Sequence, residues 1–113
     1  MAETTQFYIN GAWVAPAQPN EFPVIDPSTE EVCATISLGG KADTDAAVAA
    51  AKAAFESWSQ TDPAERIAAV ERIYAVYEKR AEDLAVAISK EMGAPIEMAR
   101  SSQGTSGTWH LDG

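Results

Sequence analysis

The sequence predicts an α+β chain: a β-hairpin, one further strand, then three or four helices. Three observations carry this. Asn10-Gly11 stands between two short runs of β-formers, apolar residues alternate over 31–38, and beyond residue 41 the apolar spacing lengthens to helical steps of three and four. At 113 residues the chain is the size of one ordinary domain. Much of its 46% hydrophobic content is alanine, however, which buries little area per side chain. The expected core is thin and leans on something else.

The elements follow in order. In FYINGAWV (7–14), Asn-Gly supplies the positive φ angles of a two-residue type I′ turn. That turn pairs Ile9 with Ala12, Tyr8 with Trp13 and Phe7 with Val14, and puts Tyr8 and Trp13 on one face. The prolines of 15–28 forbid helix and favour an extended excursion anchored by Phe22, Val24 and Ile25. EEVCATISL then reads as a strand over 31–38, ended by Gly39-Gly40. Val48, Ala51, Phe55 and Trp58 mark an amphipathic helix over about 43–58, with Asp43 and Asp45 in the first turn where the helix dipole favours them. Asp62 as N-cap, Pro63 at the first helical position and Glu65 three residues after the cap form a capping-box pattern. The next stripe is Ile67, Val70, Tyr74, Tyr77, Ala81, Leu84 and Ile88, continuing to Met92. It fits one bent helix or two helices broken near Arg80. Gly93 reads as a C-cap and Pro95 as a new helix opening. Beyond it Gly104, Gly107 and several Ser/Thr residues weaken the helix, whose end is expected to fray.

A net charge of −9 argues against nucleic acid, which needs clustered Lys and Arg, and against anionic membrane surfaces. The single cysteine, Cys33, allows no internal disulfide and no cysteine-based metal cluster. No N-terminal run resembles a signal peptide and no stretch approaches a membrane span, so a cytoplasmic protein is expected.

No catalytic, cofactor-binding or metal site emerges from the residues themselves. A nucleophilic cysteine needs an electropositive setting, whereas Cys33 follows Glu30 and Glu31 within a strand pattern. His110, the only histidine, has no second histidine to share a metal. The carboxylates fall on helix surfaces and first turns, not in converging pairs. Gly104, Gly107 and Gly113 lack the spacing of a phosphate loop and do not join a strand to a helix.

Taken together and in order, FYINGAWVAP, VIDPSTEEVCATISLG, DTDAAVAAAKAAFESW, DPAERIAAVERIY and EKRAEDLAVAISKEMGAPIEMA resemble the N-terminal quarter of an NAD(P)-dependent aldehyde dehydrogenase. The resemblance runs from about Phe7 to about His110. Asp26-Pro27-Ser28-Thr29 stands where the family usually has Asn-Pro-Ala/Ser-Thr. It implies that the chain is an α+β piece of an α/β fold whose Rossmann-like sheet is absent. On this reading 1–113 is the N-terminal part of the coenzyme-binding domain, with a hairpin and strand arm over 1–40 and a helical layer over 41–113. The family's enzymes oxidise aldehydes through attack of a cysteine thiolate, hydride transfer to NAD(P)⁺ and hydrolysis of a thioester. Their nucleophile and coenzyme motifs match nothing up to Gly113, and Cys33 inherits no role. The resemblance therefore implies a truncated oxidoreductase, inactive alone, with aldehyde and NAD(P) belonging to the full-length parent. Some members hold a monovalent cation at positions matching Ile25 and Glu91, but a hard cation wants more than two oxygens. In the family the helices cover one side of the coenzyme domain. Without it, their apolar faces predict self-association. A stand-alone helical module that pairs with itself or with a full-length homologue is the alternative.

Overall fold

The structure, a computed structural model, describes residues 4–112. Contacts divide them into two compact units, one of 4–25 with 32–61 and one of 26–31 with 62–112. The grouping follows packing and not the change of periodicity at residue 41, so the first helix belongs with the strands.

In the first unit, β1 (Phe7–Ile9) and β2 (Ala12–Val14) form the expected antiparallel hairpin, with Phe7 opposite Val14, Tyr8 opposite Trp13 and Ile9 opposite Ala12. Asn10 and Gly11 take φ of 54° and 79°, as a type I′ turn requires. Tyr8 and Trp13 meet edge to face at 5.3 Å on the exposed side, while Phe7, Ile9 and Val14 are half-buried on the other.

β4 (Glu31–Ser37) matches the expected strand, but it has a partner that the prolines concealed: β3 (Glu21–Asp26). The Leu38 N–H donates to the Asn20 carbonyl (2.8 Å) and the Cys33 thiol to the Val24 carbonyl (3.4 Å). Positions rise on one strand as they fall on the other, so the pair is antiparallel. Pro23 is tolerated because each strand of a two-stranded sheet has an open edge, where a missing N–H costs no ladder bond.

α1 (Lys41–Trp58) starts against Asp43, whose carboxylate accepts the N–H of Gly40 and of Ala17, both at 2.8 Å. These donors hold the Asp43 carboxyl below its ordinary value of 3.8, Ala17 contributing most. A group so depressed contributes stability that is complete above its unfolded pKa and is lost as pH falls through the lower folded value. Urea midpoints of the native chain and of Asp43→Asn are therefore expected to differ at neutral pH and to converge as pH falls below about 4. The face that α1 turns to the hairpin is alanine: Ala47, Ala50, Ala51 and Ala54 adjoin Tyr8 and Ile9. The heavier stripe remains uncovered, with Phe55 65% exposed.

In the second unit, residues 26–31 make the turn that joins β3 to β4. The Asp26 carboxylate accepts the Ser28 N–H (2.8 Å) and hydroxyl (2.5 Å), and its carbonyl accepts the Glu30 N–H (2.8 Å). Glu30 sits at φ 60°, where such loops usually carry glycine. That substitution removes the sequence signal for this hairpin.

α2 (Pro63–Lys79) is capped by Asp62, whose carboxylate accepts the Ala64 N–H at 2.9 Å. Asp62→Ala is expected to lower unfolding free energy by about 1 kcal/mol, read from denaturant midpoints. Arg80 (φ −110°, ψ 9°) breaks the long stripe, so the two-helix alternative holds, and α3 (Ala81–Met92) opens with Glu82 and Asp83 in its first turn. Gly93 ends α3 at φ 69°. The tail is α4 (Ile96–Met98), a π-helical turn (Ala99–Gln103) and α5 (Ser106–Leu111). Tyr77 of α2 donates its hydroxyl to the Gly104 carbonyl at 2.8 Å, holding the tail to the helix pair. Ala85 and Ala99 are the hydrophobic residues buried outright among those described. The expected thin core is thus observed.

Candidate functional site

Each residue the sequence singled out for chemistry has a place. Cys33 lies half-buried on β4, its thiol engaged by the Val24 carbonyl. His110 is exposed in the last turn of α5, beside an exposed Trp109. Ile25 lies on β3 in the first unit, and Glu91 lies in the last turn of α3 in the second. Among the described residues no group of three His, Cys, Asp or Glu side chains could hold a metal ion. No described helix is long and apolar enough to cross a membrane.

The carboxylates with shifted pKa values all move in one direction. Asp26 is lowered chiefly by the Ser28 hydroxyl, then by the Ser28 N–H, and Glu82 chiefly by hydrogen bonding to Arg100. The Arg100 guanidinium forks onto Glu82 (2.6 and 3.0 Å) and also reaches Glu97 (2.8 Å), tying α3 to the π turn, and its own pKa is raised by Glu82 first. A general acid needs the opposite, a carboxyl kept protonated by burial or a like charge. These carboxylates are ionised hydrogen-bond acceptors that fix local structure.

An open groove of roughly 840 Å³ lies within the second unit, walled by α2 and α3. Ile73, Val76 and Leu84 line it together with Arg72, Arg80 and Asp83. Ile73 and Val76 are 57% and 56% exposed. The sequence stripe through Ile67, Val70, Tyr74 and Tyr77 passed these two by. Tyr74 and Tyr77 are half-covered, Ile67 and Val70 are exposed, and the groove opens on the flank of the expected stripe. The signal was present, since Ala69, Ile73 and Val76 also fall at helical steps of three and four, but it competes with the tyrosine row. Arg80 has a weak partner in Asp83 at 3.4 Å, and among the described residues Arg72 has no ion pair.

The described residues leave apolar side chains uncovered and gather no metal-binding cluster, and comparison with known proteins identifies the family. The sequence profile of the aldehyde dehydrogenase family matches residues 13–108. The chain belongs to that family. A 3-succinoylsemialdehyde-pyridine dehydrogenase from a Pseudomonas species is 39% identical over 112 residues, covering 98% of this chain and 24% of its own length. The crystal structure of an aldehyde dehydrogenase from Bartonella henselae superposes with a TM-score of 0.96 at 52% identity, over 99% of this chain and 24% of that one. A variant of aldehyde dehydrogenase C from Pseudomonas syringae, determined with NAD⁺ and octanal, gives 0.94 at 45% identity over 97% and 23%. The chain therefore spans about a quarter of the length of the relatives it matches, and the expected resemblance holds in both sequence and fold.

Proposed function

We propose that this chain is the N-terminal structural layer of an enzyme that oxidises aldehydes to carboxylic acids with NAD(P)⁺ through a cysteine thiohemiacetal. The observation that carries the reading is the match in sequence and fold over nearly the whole chain to dehydrogenases about four times as long. One of these was determined with NAD⁺ and an aldehyde together.

Within that enzyme the described residues position and cover; they do not react. Cys33 is not the nucleophile, because its thiol is spent on a strand carbonyl and no described histidine or carboxylate hydrogen-bonds to it. The reacting cysteine belongs to the remainder of the family's length. NAD(P) does not fit the residues present. Where a glycine pair leads from β4 into α1, the Asp43 carboxylate already takes the N–H of Gly40, so a phosphate would meet a negative charge at that helix start. No step runs through the coenzyme here, and no cation is assigned to Ile25 and Glu91. A cytoplasmic setting, where nicotinamide coenzymes are held, belongs to the same proposal.

The experiment is NADH formation from a panel of aldehydes. The full-length polypeptide is expected to turn over. The isolated 113-residue chain is expected to show no turnover and no shift in melting temperature with NAD⁺. Turnover by the isolated chain would sink the assignment.

A second reading, a free-standing module that pairs with itself, is favoured by the exposed Phe55 and Trp58 of α1 and the exposed Ile67 and Ile73 of α2. Size-exclusion chromatography separates the two: a discrete, concentration-independent dimer supports the module, and heterogeneous association supports the layer.

A further inference from the structure

Asn10 and Gly11 form the tip of the β1–β2 hairpin, and both are exposed. An asparagine followed by glycine carries a latent reaction. The backbone nitrogen of the glycine can close on the side-chain carbonyl carbon of the asparagine, because no side chain stands beside that nitrogen. The structure leaves the Gly11 nitrogen unguarded. A Cβ built on Gly11 would meet nothing within 4 Å. Gly11 belongs to no ladder pair, since the register closes at Ile9 and Ala12. Among the described residues its N–H donates to no other backbone carbonyl. Asn20, the one other asparagine in the sequence, is set differently. Its N–H donates to the Ser37 hydroxyl (3.4 Å) and its carbonyl accepts the Leu38 N–H (2.8 Å). The nitrogen that follows it belongs to Glu21, whose side chain crowds the approach.

The turn itself restrains the reaction at Asn10. Ring closure needs the peptide plane between residues 10 and 11 to rotate well away from the ψ of about 30° that a type I′ turn gives its first central residue. The turn must therefore open first. Its strands are three residues each in a two-stranded sheet, a size that is marginal in water. Such segments open at low free energy. One face of the hairpin is held by Tyr8 and Trp13, edge to face at 5.3 Å, one pair behind the turn.

We propose that Asn10 is a self-modification site, converted by water to aspartyl and isoaspartyl forms at a rate set by the Tyr8–Trp13 pair. The Gly11 nitrogen gives its proton to solvent base and bonds to Cγ of Asn10. The bond from Cγ to the side-chain nitrogen breaks, and ammonia leaves. One water then opens the succinimide ring at either carbonyl, with no oxidation or reduction. Opening at Cγ leaves an aspartate, which tolerates φ 54° as asparagine does. Opening at the backbone carbonyl leaves an isoaspartate. Its main chain runs through Cβ and Cγ, one atom longer, and no longer fits a two-residue turn. Either product adds a carboxylate to a chain of net charge −9. The site rests on the hairpin and not on the aldehyde-oxidising reading.

The test ages the native full-length polypeptide at neutral pH beside a guanidinium-unfolded sample. Peptide mass spectrometry and labelling by an isoaspartyl methyltransferase follow both asparagines. Asn10 is expected to gain the mass of an amide-to-acid change and to take the label, while Asn20 stays intact. The native rate is expected to fall below the unfolded one. Trp13→Ala is expected to raise the native rate about two- to tenfold, the range an aromatic pair contributes. Trp109→Ala, in the other unit, is expected to leave it unchanged. Asn10 left intact in the native polypeptide, or Asn20 converting as fast, overturns the site. A native rate equal to the unfolded one, or unmoved by Trp13→Ala, overturns the control by the aromatic pair. None of these outcomes is read from turnover.

Discussion

Gly93→Ala is expected to destabilise the second unit by roughly 2–5 kcal/mol, the sum of two separable effects. The residue ends α3 at φ 69°, where an L side chain crowds the following carbonyl at a cost of about 1–2 kcal/mol. A Cβ there would also lie 2.7 Å from Cγ of Pro27, inside the turn that joins β3 to β4. The proline ring cannot rotate away as a flexible side chain would, so the overlap resembles overpacking, typically about 1–3 kcal/mol. A double-mutant cycle distinguishes the two. Pro27→Ala is expected to recover the steric part in the Gly93→Ala background and to leave the φ penalty. A single variant of native stability in urea would show that the turn and the helix end do not pack as described.

Gly107→Ala tests a different balance. On helix propensity alone, alanine in α5 is preferred to glycine by about 1 kcal/mol. The added Cβ, however, would stand 2.4 Å from the Tyr77 hydroxyl oxygen and 2.5 Å from Cζ of the same ring. Tyr77 is held where it is by its hydrogen bond to the Gly104 carbonyl, and moving the ring gives up that bond, worth about 1 kcal/mol, besides the packing. The variant is therefore expected to lose roughly 1–3 kcal/mol despite the better helix former. Tyr77→Leu removes the ring, and in that background the sign should reverse, with Gly107→Ala becoming neutral or mildly stabilising. Thermal melts of the four proteins give the answer. If Gly107→Ala stabilises both backgrounds equally, propensity governs the tail and the close approach to Tyr77 is unimportant.

These two glycines also mark the limit of what the residues convey. Gly93 is readable from sequence as a C-cap because a glycine directly after the last apolar position of the stripe is followed two residues later by a proline. Gly107 reads only as weak helix. Its reason is a ring thirty residues earlier, and nothing local announces that contact. The same division runs through the candidate site. The surface placement of His110 follows from its position near a weak helix end, and the structure has it exposed. The groove does not follow, because its wall at Ile73 and Val76 lies beside a tyrosine row of equal periodicity. Which row α5 covers depends on the course of the chain after Gly93.

By itself, the sequence determined the elements whose cause is local. The Asn10-Gly11 turn and its register, the Asp62 cap and the Gly93 stop each rest on backbone angles or hydrogen bonds within a few residues. The ordered run of segments was enough to place the chain in its family. Tertiary structure alone decided that β3 pairs with β4 despite Pro23 and the glycine-less turn at Glu30. It also decided that alanines and not Phe55 face the hairpin, and that α2 and α3 leave an apolar groove open. Those outcomes depend on which surfaces meet, and burial carries no record of its partner in the spacing of one stretch of chain.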